Sequence, residues 1–169
     1  ALEANRRAAE RRIREAIGEV PPALRTAYQI LLGLSSHDLS VLRGAFGDPQ
    51  GIVSFDVWDE GRGYAAVLDY GPAYRCIHTV AHLAIKRFDE TLVAHDRQRV
   101  VQITFPNPYL RNAPTAVTVW EMENGAVIRR EAVASYEEAF RRELVHFHEC
   151  VLTGREPVTS GPEALKDVE

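Results

Sequence analysis

The sequence has few of the features that mark a specialised class of protein. Only two of its 169 residues are cysteine, Cys76 and Cys150, and neither belongs to a C-x-x-C motif. This excludes a disulfide framework and gives no support to redox or zinc chemistry. No apolar run reaches the length that spans a bilayer. Both cysteines lie in apolar segments, so we expect buried thiols in a cytoplasmic, reducing compartment.

An excess of positive charge is also missing, because 20 Lys and Arg residues face 24 Asp and Glu residues. A net charge of −4 gives no electrostatic footprint for nucleic acid. An arginine-rich opening segment is the one feature in favour of such binding. Its arginines alternate with glutamates, and that pattern is typical of a solvated helix face with ion pairs.

The remaining composition is that of an ordinary globular domain, with 46% hydrophobic and 26% charged residues. Residues 1–18 and 135–153 have the composition and period of helices, and residues 51–133 that of a sheet. We therefore predict one α+β domain: an open, mostly antiparallel sheet of about six to seven strands, with helices packed on one face. The predicted strands cover residues 51–58, 63–70, 72–85, 88–95, 98–105, 115–122 and 126–133.

Short local signals complete this prediction. Asn124-Gly125 between the last two strands predicts a tight hairpin. Ser135 with Glu138 three residues later fits a capping box that would open the helix over 135–153. Phe140, Leu144, Phe147 and Val151 form one apolar stripe along that helix, and Gly154 ends it.

No cofactor cradle or metal site is recognisable. The segment 61–66 matches the dinucleotide pattern G-x-G-x-x-A, but a strand follows it where a phosphate-binding helix would be needed. We interpret its glycines as a hairpin turn. His78 and His82 have the i, i+4 spacing of helical zinc ligands, but they lie in a strand pattern without a neighbouring Glu. We interpret them as packing or sheet-face histidines and predict no metal.

The segment 36–47, SHDLSVLRGAFG, places an imidazole beside a carboxylate on a short amphipathic helix. Ser35 or Ser36 could cap its start, and Gly47 could close its end. His37 at the start of such a helix could serve as an acid/base group, because histidine titrates near neutral pH. The competing interpretation is that His37 only satisfies a helix end or a buried carbonyl.

This segment resembles the H-x-x-D-x-x-R-W-x-x-G segment of the glucose–fructose oxidoreductase / inositol dehydrogenase family (Gfo/Idh/MocA). Residues 136–166, YEEAFRRELVHFHECVLTGREPVTSGPEALK, resemble the closing helix, G-R-x-P turn and final helix of that family. The strands between the two segments have the order that the family places in its C-terminal half. The resemblance covers nearly the whole chain from about Ile17 onward.

The resemblance implies the C-terminal substrate-binding and oligomerisation domain of a longer NAD(P)-dependent oxidoreductase acting on a sugar, polyol or related hydroxyl compound. The N-terminal Rossmann domain, with its glycine-rich loop and E-K-P lysine, is absent from this sequence. The fragment alone would then bind no NAD or NADP and would be inactive. Its expected partners are the missing Rossmann domain, a small-molecule substrate, and further copies of itself through the sheet face as a homodimer or homotetramer, with no nucleic acid or membrane.

By position, His37 matches the family's catalytic histidine, and the resemblance implies a substrate pocket lined by Ser36, Asp38, Ser40 and Arg43. Three positions depart from the family pattern. The aspartate three residues after the histidine is Ser40, the acidic residue often found four before it is Gly33, and the tryptophan after Arg43 is glycine. The alternative function is a non-catalytic α+β module that binds a ligand or only dimerises.

Overall fold

The structure is a computed structural model that describes residues 2–168, with side chains from Glu3 onward. The α+β class and the seven antiparallel strands are confirmed. The strands form a three-stranded sheet, β1-β2-β3, and a four-stranded sheet, β4-β5-β6-β7. Helices are α1 (Leu2–Ile17), α2 (Pro22–Ile30), α3 (Ser36–Phe46), α4 (Ala139–Thr153) and α5 (Gly161–Leu165), and strands are β1 (Gly51–Trp58), β2 (Gly63–Asp69), β3 (Arg75–Ala81), β4 (Glu90–His95), β5 (Arg99–Phe105), β6 (Thr115–Glu123) and β7 (Ala126–Ser135).

The chain divides into two compact units. The first unit contains the residues up to Ala84 together with those from Thr159 on, so that α5 joins α1–α3 and the first sheet. The second unit, Ile85–Val158, contains the second sheet and α4. In the part of the chain that is described, no helix has both the length and the apolarity needed to cross a bilayer.

Helix α1 confirms the prediction for the opening segment. It ends just before Gly18, which adopts a φ of +70° that glycine tolerates. Its arginines pair with glutamates one turn away, as in Arg6–Glu10 and Arg7–Glu3, while Ile13 is buried. The segment is therefore a solvated helix with one anchoring apolar residue.

The helical run from Pro22 to Phe46 is continuous, and this corrects the prediction of a helix that starts at Ser35 or Ser36. A π-helical turn, Leu31–Ser35, joins α2 directly to α3. Ser35 has helical backbone angles, and its side chain accepts a hydrogen bond from Tyr64 instead of capping a helix. Ser36 Oγ donates to the carbonyl of Leu32 at 3.1 Å. His37 therefore lies inside a helical run, two residues beyond the end of a π turn, and not at a helix start.

The core of the first unit lies between this helical run and the sheet. Ala27, Ile30 and Tyr64 are buried together, with Val57 and Val80 packed against them. Along β2 the buried residues Tyr64, Ala66 and Leu68 alternate with half-buried ones, as a sheet with one covered face requires. Strands β1 and β2 are joined through the turn Asp59–Gly61, which confirms that the glycines of 61–63 belong to a hairpin.

The second unit is an antiparallel meander followed by a helix. Asn124 and Gly125 connect β6 to β7 with φ values of +50° and +81°, which confirms the predicted hairpin turn. The capping box is wrong: α4 begins at Ala139 with Glu138 before it, and Ser135 Oγ accepts a hydrogen bond from the Glu137 amide within the preceding turn. Gly154, at φ +68°, ends α4 as predicted. The apolar stripe of α4 is exposed, from 46% at Phe140 to 68% at Leu144.

Candidate functional site

His37 is exposed and lies on the side of α3 that faces away from the first sheet. At about 100° per residue, Ser35, Asp38 and Leu42 share the inner side of the helix. His37 lies with Ser40 and Gly44 on roughly the opposite side. An added Cβ at Gly44 would meet nothing within 4 Å. This outer face of α3, defined by His37, Ser40 and Gly44, is thus open to another group.

The inner face of α3 is attached to the sheet by two hydrogen bonds. Asp38 Oδ2 lies 3.1 Å from His78 Nε2, and the Tyr64 hydroxyl donates to Ser35 Oγ. Ser35, Tyr64 and His78 are 0%, 1% and 8% exposed. Asp38 is partly open to solvent, with 30% of its side chain exposed. The carboxylate next to His37 is therefore held by an imidazole from β3.

The register of the sheet explains why Tyr64 and His78 reach the same helix. In the antiparallel pairing of β2 with β3, Tyr64 is opposite Val80 and Ala66 is opposite His78. Tyr64 and His78 therefore share one face as diagonal neighbours, with their rings 5.7 Å apart. Burial raises the pKa of Tyr64, the hydrogen bond to Ser35 opposes this rise, and the charge of Asp38 adds to it. Tyr64 is a neutral donor at physiological pH.

Arg43 is surrounded by carboxylates from two other parts of the chain. Its guanidinium lies 2.6 Å from Asp167, 2.8 Å from Glu163 and 2.7 Å from Asp48, and it also donates to the carbonyl of Glu163. The hydrogen bonds that Arg43 donates to Asp167, Glu163 and Asp48, in decreasing order of effect, raise its pKa above the ordinary value. Arg43 thus attaches the C-terminal segment to α3, and its role in a substrate pocket stays a prediction.

Of the sequence-predicted site residues, His37 and Ser40 share the outer face of α3, while Ser36, Asp38 and Arg43 all bond to groups of this chain. Sequence reasoning placed His78 in a sheet, which is correct, but it missed the bond to Asp38. The two residues are 40 positions apart, and no periodic pattern relates them.

The structure adds little support for chemistry elsewhere in the chain. Among the described residues, no three His, Cys, Asp or Glu side chains are grouped so that they could hold a metal ion. Both cysteines are free thiols; Cys150 is buried, and burial raises the pKa of the half-buried Cys76. His146 accepts a hydrogen bond from the Val158 amide, so this imidazole fixes the turn beyond α4. A shallow groove runs along α4 past Phe140 and Leu144.

The fold is that of known oxidoreductase structures, over about four fifths of this chain. YvaA of Bacillus subtilis, described as an oxidoreductase candidate, superposes with a TM-score of 0.61 at 12% identity, over 82% of this chain and 47% of its own. The oxidoreductase candidate YPO2259 of Yersinia pestis gives 0.60 at 14% identity, over 79% of this chain and 43% of its own. KijD10 of Actinomadura kijaniata, a 3-ketoreductase solved with NADP and TDP-benzene, gives 0.63 at 14% identity, over 82% and 42%.

These likenesses define the fold class, an α+β domain shared with part of each oxidoreductase chain. No protein-family model and no curated protein matches the sequence. The chain spans less than half the length of each of the three structures.

Proposed function

We propose that this chain is the C-terminal substrate-binding and oligomerisation domain of an NAD(P)-dependent oxidoreductase of the Gfo/Idh/MocA type. Its substrate would be a sugar, polyol or related hydroxyl compound. The observation that carries the proposal is an exposed histidine on an open helix face within a fold that forms less than half of three oxidoreductase chains. The 3-ketoreductase with bound NADP supports the same class of reaction.

The dinucleotide would bind outside the residues described. The Gly61-Arg62-Gly63 segment does not fit a pyrophosphate, because it forms a turn followed directly by β2 and offers no helix N-terminus. The nicotinamide, when bound by the complete protein, supplies hydride transfer. This chain would supply the group that takes the proton from the substrate hydroxyl, or returns it, as the hydride is transferred.

His37 would exchange that proton with the substrate hydroxyl as general acid or base. Its exposure leaves the imidazole free to approach a second domain and a substrate between them. Ser40 lies one turn further along the same face and could donate a hydrogen bond to a second hydroxyl. Asp38 has one carboxylate oxygen engaged by His78, which leaves the other for a substrate hydroxyl.

The uncovered face of the first sheet supports oligomerisation. Val67 and Ile77 are directly paired across β2 and β3, on the face opposite Tyr64 and His78. Ile77, in the middle of the edge strand β3, is 72% exposed, and exposed apolar residues on a sheet face can mark an interaction surface. A homodimer or homotetramer through this face would bury it. Sedimentation of Ile77→Lys against the unchanged protein tests this proposal, since a charge on this face should shift the protein towards the monomer.

The test of the catalytic proposal uses the natural full-length polypeptide. We expect its coding sequence to contain a G-x-G-x-x-G strand–turn–helix and an E-K-P lysine upstream of Ala1. Binding of NADH and NADPH is measured first by fluorescence, followed by turnover on a panel of sugars and polyols. In that protein His37→Ala should lower kcat/KM by about 100-fold or more, because general acid–base groups contribute about that much.

His82→Ala is the matched control, because His82 is an exposed histidine just beyond β3. Its kcat/KM should equal that of the unchanged protein. An unchanged rate in His37→Ala would reduce His37 to a structural residue and would favour the non-catalytic module. A start codon directly before Ala1 would contradict the proposed domain arrangement.

A further inference from the structure

The inner face of α3 is polar where a helix packed on a sheet is ordinarily apolar. Ser35, the last residue of the π turn, and Asp38 in α3 are one turn apart on this side, and each makes a hydrogen bond to a buried side chain of the sheet. The next inner residue, Leu42, is buried at 5% exposure. Two polar attachments and one buried apolar side chain therefore lie along one side of the helical run.

The buried polar side chains Ser35, Tyr64 and His78 would be costly without hydrogen-bond partners, so few other arrangements of α3 would be tolerated. A leucine at position 78 could fill the same space against many rotations of α3. A hydrogen bond from an imidazole to a carboxylate at 3.1 Å is satisfied in only one of them. In some proteins the desolvation cost of a buried polar pair is offset because the pair selects one packing arrangement among several.

The π turn gives a physical reason why the rotation of α3 needs to be fixed by specific hydrogen bonds to the sheet. Leu31–Ser35 contains one residue more per turn than an α-helix, and this extra residue can in principle lie at several positions along the run. Moving it past Ser35 would rotate the following residues by about 100°. His37 lies two residues after the end of this turn, so its direction depends on where the extra residue is held.

We propose that His78 is a positioning residue that fixes the rotation of α3 through Asp38, with Tyr64 and Ser35 as a second attachment, and thereby holds His37 on the outer face. His78 touches no reacting atom in this arrangement. The consequence for catalysis rests on the proposed function, whereas the attachment itself does not.

The experiment compares three variants of the natural full-length protein. His78→Gln keeps an N–H donor near the position of Nε2, and His78→Leu removes the donor but keeps bulk. His82→Leu is the matched control, at an exposed histidine just beyond the same strand. Amide hydrogen exchange across Ser36–Phe46 reports how firmly α3 is held. Steady-state kinetics report kcat and the KM for NAD(P)H separately.

His78→Leu should speed amide exchange in α3 and lower kcat by about 10- to 100-fold, the scale of a misplaced catalytic group. Its KM for NAD(P)H should stay unchanged, because the dinucleotide binds elsewhere. His78→Gln should restore both kcat and slow exchange, and His82→Leu should match the unchanged protein. If His78 only stabilised the fold, His78→Leu would not lower kcat while leaving the KM for NAD(P)H unchanged, and His78→Gln would not restore kcat.

Equal exchange in α3 for His78→Leu and the unchanged protein would overturn the proposal. Equal loss in the Leu and Gln variants would also overturn it, since the donor would then be irrelevant. If His78→Leu does not fold, Asp38→Ala removes the same bond from the partly exposed side and should speed exchange in α3 likewise. A protein with no NAD(P)H-dependent turnover would refute the proposed function, while the exchange measurements would still decide the positioning role.

Discussion

Arg43 and Asp167 form a close ion pair, 2.6 Å between Nη1 and Oδ1, that joins residues 124 positions apart. Only 5% of the Asp167 side chain is exposed, so this carboxylate depends on the guanidinium for its solvation. Glu163 contacts the same guanidinium from a more open position, with 40% of its side chain exposed. The C-terminal segment is thus attached to α3 by one buried and one exposed carboxylate.

The two carboxylates should contribute unequally to stability. Asp167→Asn replaces a buried, charged hydrogen-bond partner of the half-buried Arg43 guanidinium and should cost about 1.5–3 kcal/mol of unfolding free energy. Glu163→Gln should cost distinctly less, because solvent screens an exposed pair. Urea unfolding of both variants at pH 7 measures the difference. Equal losses would mean that burial does not distinguish the two contacts.

The sequence predicted the parts of this molecule that depend on neighbouring residues. Asn124-Gly125 specifies its hairpin by itself, because both residues tolerate a positive φ. Gly18 and Gly154 end their helices for the same reason. The alternation of apolar residues likewise predicted seven strands within a few residues of their observed limits.

Contacts between distant residues could not be read from those patterns. Ser35 was expected to cap a helix, as serine often does, but its hydroxyl is bonded to Tyr64, 29 residues away. The helix instead continues from α2 through the π turn into α3, with Ser35 as the last residue of that turn. The pairs Asp38–His78 and Arg43–Asp167 could not be predicted for the same reason. Their residue types are common on protein surfaces, and the partners are 40 and 124 positions apart in the sequence.

Tyr70 and Tyr64 provide a matched test of what a buried hydroxyl contributes. Among the described residues, the Tyr70 hydroxyl is buried without a hydrogen-bond partner, and burial raises its pKa. Tyr70→Phe removes an unsatisfied polar group and should be neutral or stabilising by up to about 1 kcal/mol. Tyr64→Phe leaves the buried Ser35 hydroxyl without its donor and should cost about 1–2 kcal/mol. Chemical denaturation of the two variants measures both effects, and a larger loss for Tyr70→Phe would contradict the assignment.

Asp96 should carry part of the acid sensitivity of the second unit. The amides of Gln98 and Arg99 donate to its carboxylate at 2.7 and 2.8 Å. These bonds, that of Gln98 first, lower the pKa of Asp96 below its usual value. A carboxyl whose pKa falls on folding stabilises the protein above its unfolded pKa of about 3.9, and this stabilisation is lost as the pH falls through the lower folded value.

Asp96→Asn tests this dependence, since an asparagine oxygen still accepts from both amides but does not titrate. The melting temperature of the unchanged protein should fall more between pH 5 and pH 2.5 than that of the variant. At pH 7 the variant should melt slightly lower, because its hydrogen bonds are no longer assisted by charge. The same decline in both proteins would show that Asp96 does not contribute to acid unfolding.

Gly44 and Gly61 should respond in opposite ways to the same substitution. Gly44 lies within α3 at an ordinary backbone conformation, and a Cβ there would meet nothing within 4 Å. Alanine at this position should therefore stabilise the protein by about 0.5–1 kcal/mol, the difference between the two residues in a helix. Gly61 has a φ of +91°, and a Cβ there would overlap the carbonyl oxygen of Ala23.

Gly61→Ala should therefore cost more than about 1 kcal/mol, from backbone strain and from displacement of α2. Thermal unfolding of the two variants is the first measurement. In the natural full-length protein, Gly44 also allows a test of the outer face of α3: Gly44→Ala should keep activity, whereas Gly44→Trp should lower kcat/KM by obstructing the approach to His37. If Gly44→Trp is fully active, the substrate does not approach along this face, and the pocket must be sought around Asp38 instead.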